Sequence, residues 1–138
     1  MPEQVADPKL TDFARNAMPF MALMGAELVS MGPDAVVGTL AWSPERCTSG
    51  DVMHGGAIMA LADTVGALVA FLNLPETAQA TTTISSSSQF LRAVRSGTAV
   101  ATARPLHKGR QTIVVETDVH DDEGRLVARV TQSQAVLH

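Results

Sequence analysis

Asp63 is the only charged residue in an apolar stretch over residues 55–72, and His54-Gly55-Gly56 leads into it. A carboxylate in such surroundings is costly to desolvate unless it is paired or reacts. Met59, Ala60, Gly66 and Ala67 stand three and four positions away, so no cation sits at helical neighbour spacing. Either a partner arrives from elsewhere in the fold, or Asp63 does chemical work. The start of the stretch offers the complementary half of such chemistry. A helix N-terminus presents unpaired N–H groups and partial positive charge. Glycines there let a ligand atom approach the backbone. Gly55 and Gly56 suit an oxyanion site, or else they only permit a tight turn into the helix.

His54 and Asp63 are nine residues apart, which on one helix is about 13.5 Å of rise and about half a turn of net rotation. The acid cannot reach its own helix start. A composite site needs a second chain whose helix lies antiparallel, so that the halves meet twice across a two-fold axis. The spacing predicts a homodimer. Other reactive candidates are weaker. Cys47 has no His or acid at an identifiable partner position and reads as a packed or idle thiol. His54, His107, His120 and His138 include no pair at i, i+3 or i, i+4, so no metal site is expected. Lys108 and Arg110 flank Gly109, with Arg92 and Arg95 in a second segment. They form either a phosphate clamp or a solvated patch.

The elements that must position these groups follow from patterning. Asp7-Pro8 is an N-cap and first helical position. A short helix is expected at about 8–18, ending near Met18-Pro19, with Phe13, Phe20, Met21 and Met24 as its packing residues. Strands are expected over 26–31 and 35–42, joined through Gly32-Pro33-Asp34, then a loop over 43–53. The long helix spans about 55–72, stopped by Asn73 and Pro75. Beyond it the period changes to two. Residues 81–89 (TTTISSSSQ) read as a strand because Thr and Ile favour one. Further strands follow over 98–106, 110–120 and 125–137, the last two joined by the Asp121-Asp122-Glu123-Gly124 turn. In the middle one, Ile113, Val115, Thr117 and Val119 face one way. Antiparallel strands with one apolar helix describe an α+β fold in which a curved sheet wraps that helix.

The 138 residues fit one domain over 1–138. Hydrophobic residues at 46% supply a core, while 4% aromatic residues and a net charge of −4 argue against nucleic-acid binding. A single cysteine fits a reducing, cytoplasmic setting. Glu3, Asp7 and Asp12 stand where a signal peptide would carry a cationic region, so none is expected. The apolar stretch approaches membrane-spanning length, but Asp63, three glycines and the lack of flanking basic residues argue against that.

The segment HGGAIMALADT from His54 to Thr64 resembles the HGG-x6-D/E helix of the hotdog-fold acyl-CoA thioesterases. Within that superfamily it is most similar to the phenylacetate-pathway and the 4-hydroxybenzoyl-CoA and 1,4-dihydroxy-2-naphthoyl-CoA groups. The likeness extends to Pro19-Phe20, Gln89-Phe90-Leu91-Arg92, the HKGRQT loop at 107–112 and the final hairpin. It implies a hotdog fold, assembled as a homodimer or dimer of dimers. It implies hydrolysis of an acyl-CoA, aryl or short- to medium-chain, to the free acid and CoA. Asp63 would be general base or nucleophile, and the N–H of Gly55, with that of Gly56 as a second candidate, would polarise the carbonyl. His54 would orient the loop or substrate, and the Thr83 hydroxyl would position water or Asp63. Gly56, Arg92, His107, Lys108, Gly109 and Arg110 would contact the CoA moiety. No cofactor or metal is implied, because CoA is part of the substrate, and no nucleic acid or membrane is a partner. Two departures stand out. Thr48 occupies the place, six residues before the histidine, where relatives often carry Asn or Gln, and it offers one hydroxyl in place of an amide. Asp63 replaces the Glu of many aromatic-acyl relatives. The first departure supports an alternative, a non-catalytic acyl-CoA-binding module.

Overall fold

The computed structural model describes residues 4–138; Glu3, used in the signal-peptide argument, lies outside them. Asp7 caps the first helix, α1 (Pro8–Ala17), accepting from the N–H groups of Lys9 and Leu10 at 2.9 and 3.1 Å. The Met18-Pro19 step that ends α1 also opens a second helix, α2 (Pro19–Met24), which the sequence reading did not separate. Proline at its first position wastes no N–H, and Gly25 closes it at φ +82°. Of the four expected packing residues, Met21 is buried and Met24 half-buried. Phe13 and Phe20 instead lie 56% and 60% exposed.

Strands β1 (Glu27–Met31), β2 (Val36–Ala41), β3 (Ala80–Phe90), β4 (Thr98–Lys108), β5 (Thr112–His120) and β6 (Leu126–Leu137) form one antiparallel sheet in the order β1-β2-β4-β5-β6-β3. The serine-rich segment is therefore a strand, as its Thr and Ile content suggested. His107 and Lys108 end β4 rather than lying in a loop. The helix α3 (Gly55–Phe71) contacts β2 through β6 and is wrapped by the sheet. Ile58, Leu61, Val65 and Val69 join Leu28, Leu40, Ile113, Val115 and Val119 in the core. Each such side chain, fully buried, contributes about 1.5–3 kcal/mol. A Cβ at Gly38 of β2 would meet the Val65 side chain at 2.6 Å, so glycine there lets the helix ride close to the sheet. On β5 the buried residues are Ile113, Val115, Thr117 and Val119, the face that the period-two pattern selects. Among the described residues no helix is long and apolar enough to cross a membrane.

The β5–β6 turn ends on Gly124 at φ +77° and is organised by Asp121. Its carboxylate accepts from the N–H groups of Glu123 and Arg125, each at 3.0 Å, and from Arg125 Nε at 2.8 Å. Burial pushes this carboxyl up, but those donors outweigh it and hold it below its ordinary value. A carboxyl depressed in the folded state stabilises the fold above its unfolded pKa, and that contribution is lost as pH falls through the folded value. Asp121→Ala is expected to lower Tm by on the order of a few degrees near neutral pH. In thermal melts the gap from the parent should narrow as pH drops below about 4.

The two sheet edges differ. α1 covers β1: the Asp7 N–H donates to the Leu28 carbonyl at 2.7 Å, and Leu28 N–H donates to Thr11 Oγ1 at 3.0 Å. β3 is bare along its outer edge over eleven residues. It carries no charge, no proline and an Ile84 that is 62% exposed at a bulge between Thr83 and Ser85. Such an edge is a ready template for another strand.

Candidate active site

The site starts with how α3 begins. His54 is the N-cap, with extended backbone, and its Nδ1 accepts from Gly56 N–H at 2.7 Å. An accepting Nδ1 puts the ring proton on Nε2. A Cβ at Gly56 would fall 2.8 Å from that Nδ1, so glycine at 56 serves the cap. The consequence corrects one expectation. Gly56 N–H is occupied by His54, whereas among the described residues Gly55 N–H has no partner. One donor, not two, is presented. It lines a cleft of about 410 Å³ with Thr48, Met53, Phe90, Leu91 and Arg92. Thr48 therefore stands beside Gly55 although seven residues separate them. Met53 is buried in the core and borders the same cleft.

Asp63 lies two turns further along, about 12 Å of rise from Gly55, where α3 meets β3 and β6 at the margin of the core. Contrary to the desolvation argument, it is exposed. Gly56, Met59 and Phe71 of α3 are exposed too. The partner that arrives from elsewhere is neutral. Thr83 Oγ1 donates to Asp63 Oδ1 at 2.8 Å, and Gln132 Nε2 donates to the same oxygen at 2.9 Å. Gln134 Nε2 donates in turn to Thr83 Oγ1 at 2.6 Å. No guanidinium or ammonium touches the carboxylate among the described residues. Two neutral donors hold one oxygen and leave Oδ2 open, a geometry suited to taking a proton from water or attacking a carbonyl.

The sequence reading missed Gln132 and Gln134. A signal existed: Ala128, Val130, Gln132, Gln134 and Val136 alternate onto the buried face of β6, and two amides interrupt an otherwise apolar series. What they pair with, 69 and 51 residues earlier, was not in that signal.

The basic residues do not form one clamp. Lys108 pairs with Ile113, Thr112 lies opposite Ala135, and Ala135 lies opposite Thr82. Arg92 follows the other end of β3, where Phe90 lies opposite Ala128 and Arg92 N–H donates to the Val127 carbonyl. Seven residues of β6 separate these ends, about 23 Å at strand rise. Within one protomer Arg92 stands beside Gly55, while His107, Lys108, Gly109 and Arg110 stand at the far end with Asp63 nearer to them. Arg92, His107, Lys108 and Arg110 are exposed. Gly109 makes the turn between β4 and β5, its N–H donating to the Thr112 carbonyl at 2.9 Å. Arg95 reaches the Gly50 carbonyl at 3.4 Å. Cys47 donates its thiol to the Ser43 carbonyl at 3.3 Å, and burial pushes that thiol up, with Asp51 and Glu45 adding to the effect. Both favour an inert role. Among the described residues no group of three His, Cys, Asp or Glu could hold a metal.

A six-stranded antiparallel sheet wound around one long helix defines the hotdog fold. Residues 50–128 match the family model described as the thioesterase superfamily, and the chain belongs to that family of thioester hydrolases. It is 30% identical over 114 residues to the proofreading thioesterase EntH of Cronobacter turicensis, covering 83% of this chain and 82% of that one. Its fold superposes on thioesterase HI1161 of Haemophilus influenzae with a TM-score of 0.86 at 26% identity, covering 100% of this chain and 96% of the other. The E. coli PaaI protein, from a phenylacetic acid degradation operon, shares the fold at a TM-score of 0.79 and 24% identity, covering 94% and 96%.

Proposed function

We propose that this protein hydrolyses an acyl-CoA to the free acid and CoA, and that each site is shared between two copies of the chain. The observation that carries this reading is the separation of two half-sites on one helix: an Asp63 oxygen left open, and a Gly55 N–H without a partner about 12 Å away. In the reaction Asp63 takes a proton from water, or itself attacks, while Gly55 of the partner subunit stabilises the oxyanion. As base, Asp63 passes that proton to the departing thiolate as the C–O bond forms and the C–S bond breaks; as nucleophile, it forms an anhydride with release of the thiolate, and water then cleaves the anhydride to the free acid, its proton going to the thiolate. Water and the thioester suffice, with no cofactor or metal. His54 acts through the cap, and Gly56 by permitting it. The cytoplasm, where such thioesters are made and consumed, is the setting that suits the lone cysteine.

The two half-sites mark the same dimer axis on α3 and on β3. On α3 the midpoint between Gly55 and Asp63 is Met59. On β3 the residue beside Asp63 is Thr83 and the residue beside Gly55 is Phe90, with a midpoint at Ser86 and Ser87. A two-fold axis normal to the sheet keeps every side chain on its face, so one of these serines opposes itself. Antiparallel β3 edges joined there bring Arg92 of the partner subunit to the end that carries Lys108 and Arg110. Together they give the CoA phosphates the clamp that one protomer lacks. Ser86→Cys or Ser87→Cys should form a disulfide-linked dimer on mild oxidation, because facing strand residues lie within bridging distance. The parent, with only Cys47, sets the baseline.

The deciding experiment is thiol release from aryl-, short- and medium-chain acyl-CoAs, with molecular mass measured at the same concentration. Turnover by a monomer eliminates the shared site. Tight binding without turnover favours the non-catalytic module, which Thr48 beside Gly55 supports because one hydroxyl replaces an amide. The mass also separates a dimer from a dimer of dimers.

A further inference from the structure

We propose that Gln132 and Gln134 are positioning residues that decide which Asp63 oxygen meets the substrate. This rests on the reading of Asp63 as base or nucleophile. Both glutamines project from the buried face of β6 and are 1% and 0% exposed. A valine or leucine would pack there without the cost of burying an amide, so a role beyond packing is implied.

The hydrogen bonds have a direction. An amide nitrogen can only donate, so the Thr83 oxygen is the acceptor in the bond from Gln134. The single Thr83 hydrogen is then left for Asp63 Oδ1. Gln134 cannot turn over freely, because its oxygen would then face the Thr83 oxygen, whose hydrogen Asp63 takes; on its other side Gln134 Oε1 lies 3.1 Å from Thr81 Oγ1, which donates to the Ala135 carbonyl at 2.8 Å. Gln132 supplies the second donor to Oδ1. Turning its amide over would set one oxygen against another. Its own Oε1 is buried without a partner and lies against Gly66, where a Cβ would overlap it. Every donor is neutral, so the carboxylate is fixed in place while its charge is not cancelled by a cation. Oδ1 carries both bonds, and Oδ2 is the oxygen left to react.

Gly66 supplies a clean test. Alanine is the better helix former, which offsets part of the crowding at position 66, and its methyl group should push the end of the Gln132 side chain off Asp63. Gly66→Ala, Gln132→Leu and Gln134→Leu are each expected to lower kcat by about ten- to a hundredfold with KM nearly unchanged. The Gly66→Ala protein should still melt cooperatively, with Tm lowered by no more than about ten degrees. If Gln134 acts through Thr83, adding Gln134→Leu to Thr83→Val should cost little beyond Thr83→Val alone. Parent-like kcat in folded Gly66→Ala and Gln134→Leu proteins, with Asp63→Asn inactive, would overturn the positioning role and leave the Asp63 reading intact. Fully multiplicative losses at 83 and 134, or losses confined to KM, overturn it too. Parent-like turnover by Asp63→Asn removes both readings. Should Gln134→Leu not fold, Gly66→Ala and Gln132→Leu carry the test.

Discussion

Asparagine at position 63 is expected to lower kcat for thioester hydrolysis by about a hundredfold or more, with KM little changed. The substitution is nearly isosteric. It keeps an oxygen that can accept from Thr83 and Gln132, the two bonds that fix the side chain. What it removes is the second carboxylate oxygen and the negative charge. The fold and the network should therefore survive, and the loss should report on chemistry alone. Circular dichroism and Tm check the first point, and steady-state thiol release the second. Equal turnover by parent and Asp63→Asn would end the role assigned to this residue.

Proline at position 55 is expected to be nearly as damaging, by about 10²- to 10³-fold in kcat. Gly55 is the first helical position, where proline is tolerated. The preceding His54 already has the extended backbone (φ −61°, ψ 133°) that a residue before proline adopts. The change deletes one N–H from a helix that does not otherwise use it. A side chain at 55 also approaches Phe90, whose ring lies 3.3 Å from the built Cβ. Gly55→Ala makes that contact and keeps the N–H, so the ratio of the two variants isolates the donor. Mixing inactive Asp63→Asn and Gly55→Pro proteins then tests whether the site is shared. Each mixed dimer has one intact site, Asp63 from one chain and Gly55 from the other. After random exchange about a quarter of parental activity should return. No recovery on verified exchange would mean that each site lies within one chain.

Local chemistry was readable along the chain. Asp7-Pro8 capped a helix, the buried face of β5 followed a period of two, and Gly124 took the positive φ of the turn. His54-Gly55-Gly56 opened α3 as its spacing required. These features depend on residues a few positions apart, whose sterics and hydrogen bonds are the same in any fold. The Pro19 start of α2 was equally local, but it was absorbed into the boundary of α1.

Pairings across the fold were not readable. Asp63 stood out by its charge, yet only the helix's orientation against the sheet revealed that it faces outward and not into the core. Its neutral donors come from β3 and β6, up to 69 residues away. The register of those strands, including the bulge after Thr83, sets their reach. The same register separates Arg92 from Lys108 and Arg110, which the linear sequence had grouped by charge. By itself the sequence determined which groups could react and that two halves on one helix could not meet. The tertiary structure decided which oxygen and which N–H stand free, because burial and strand register give Asp63 Oδ1 two donors while the His54 cap takes the Gly56 N–H.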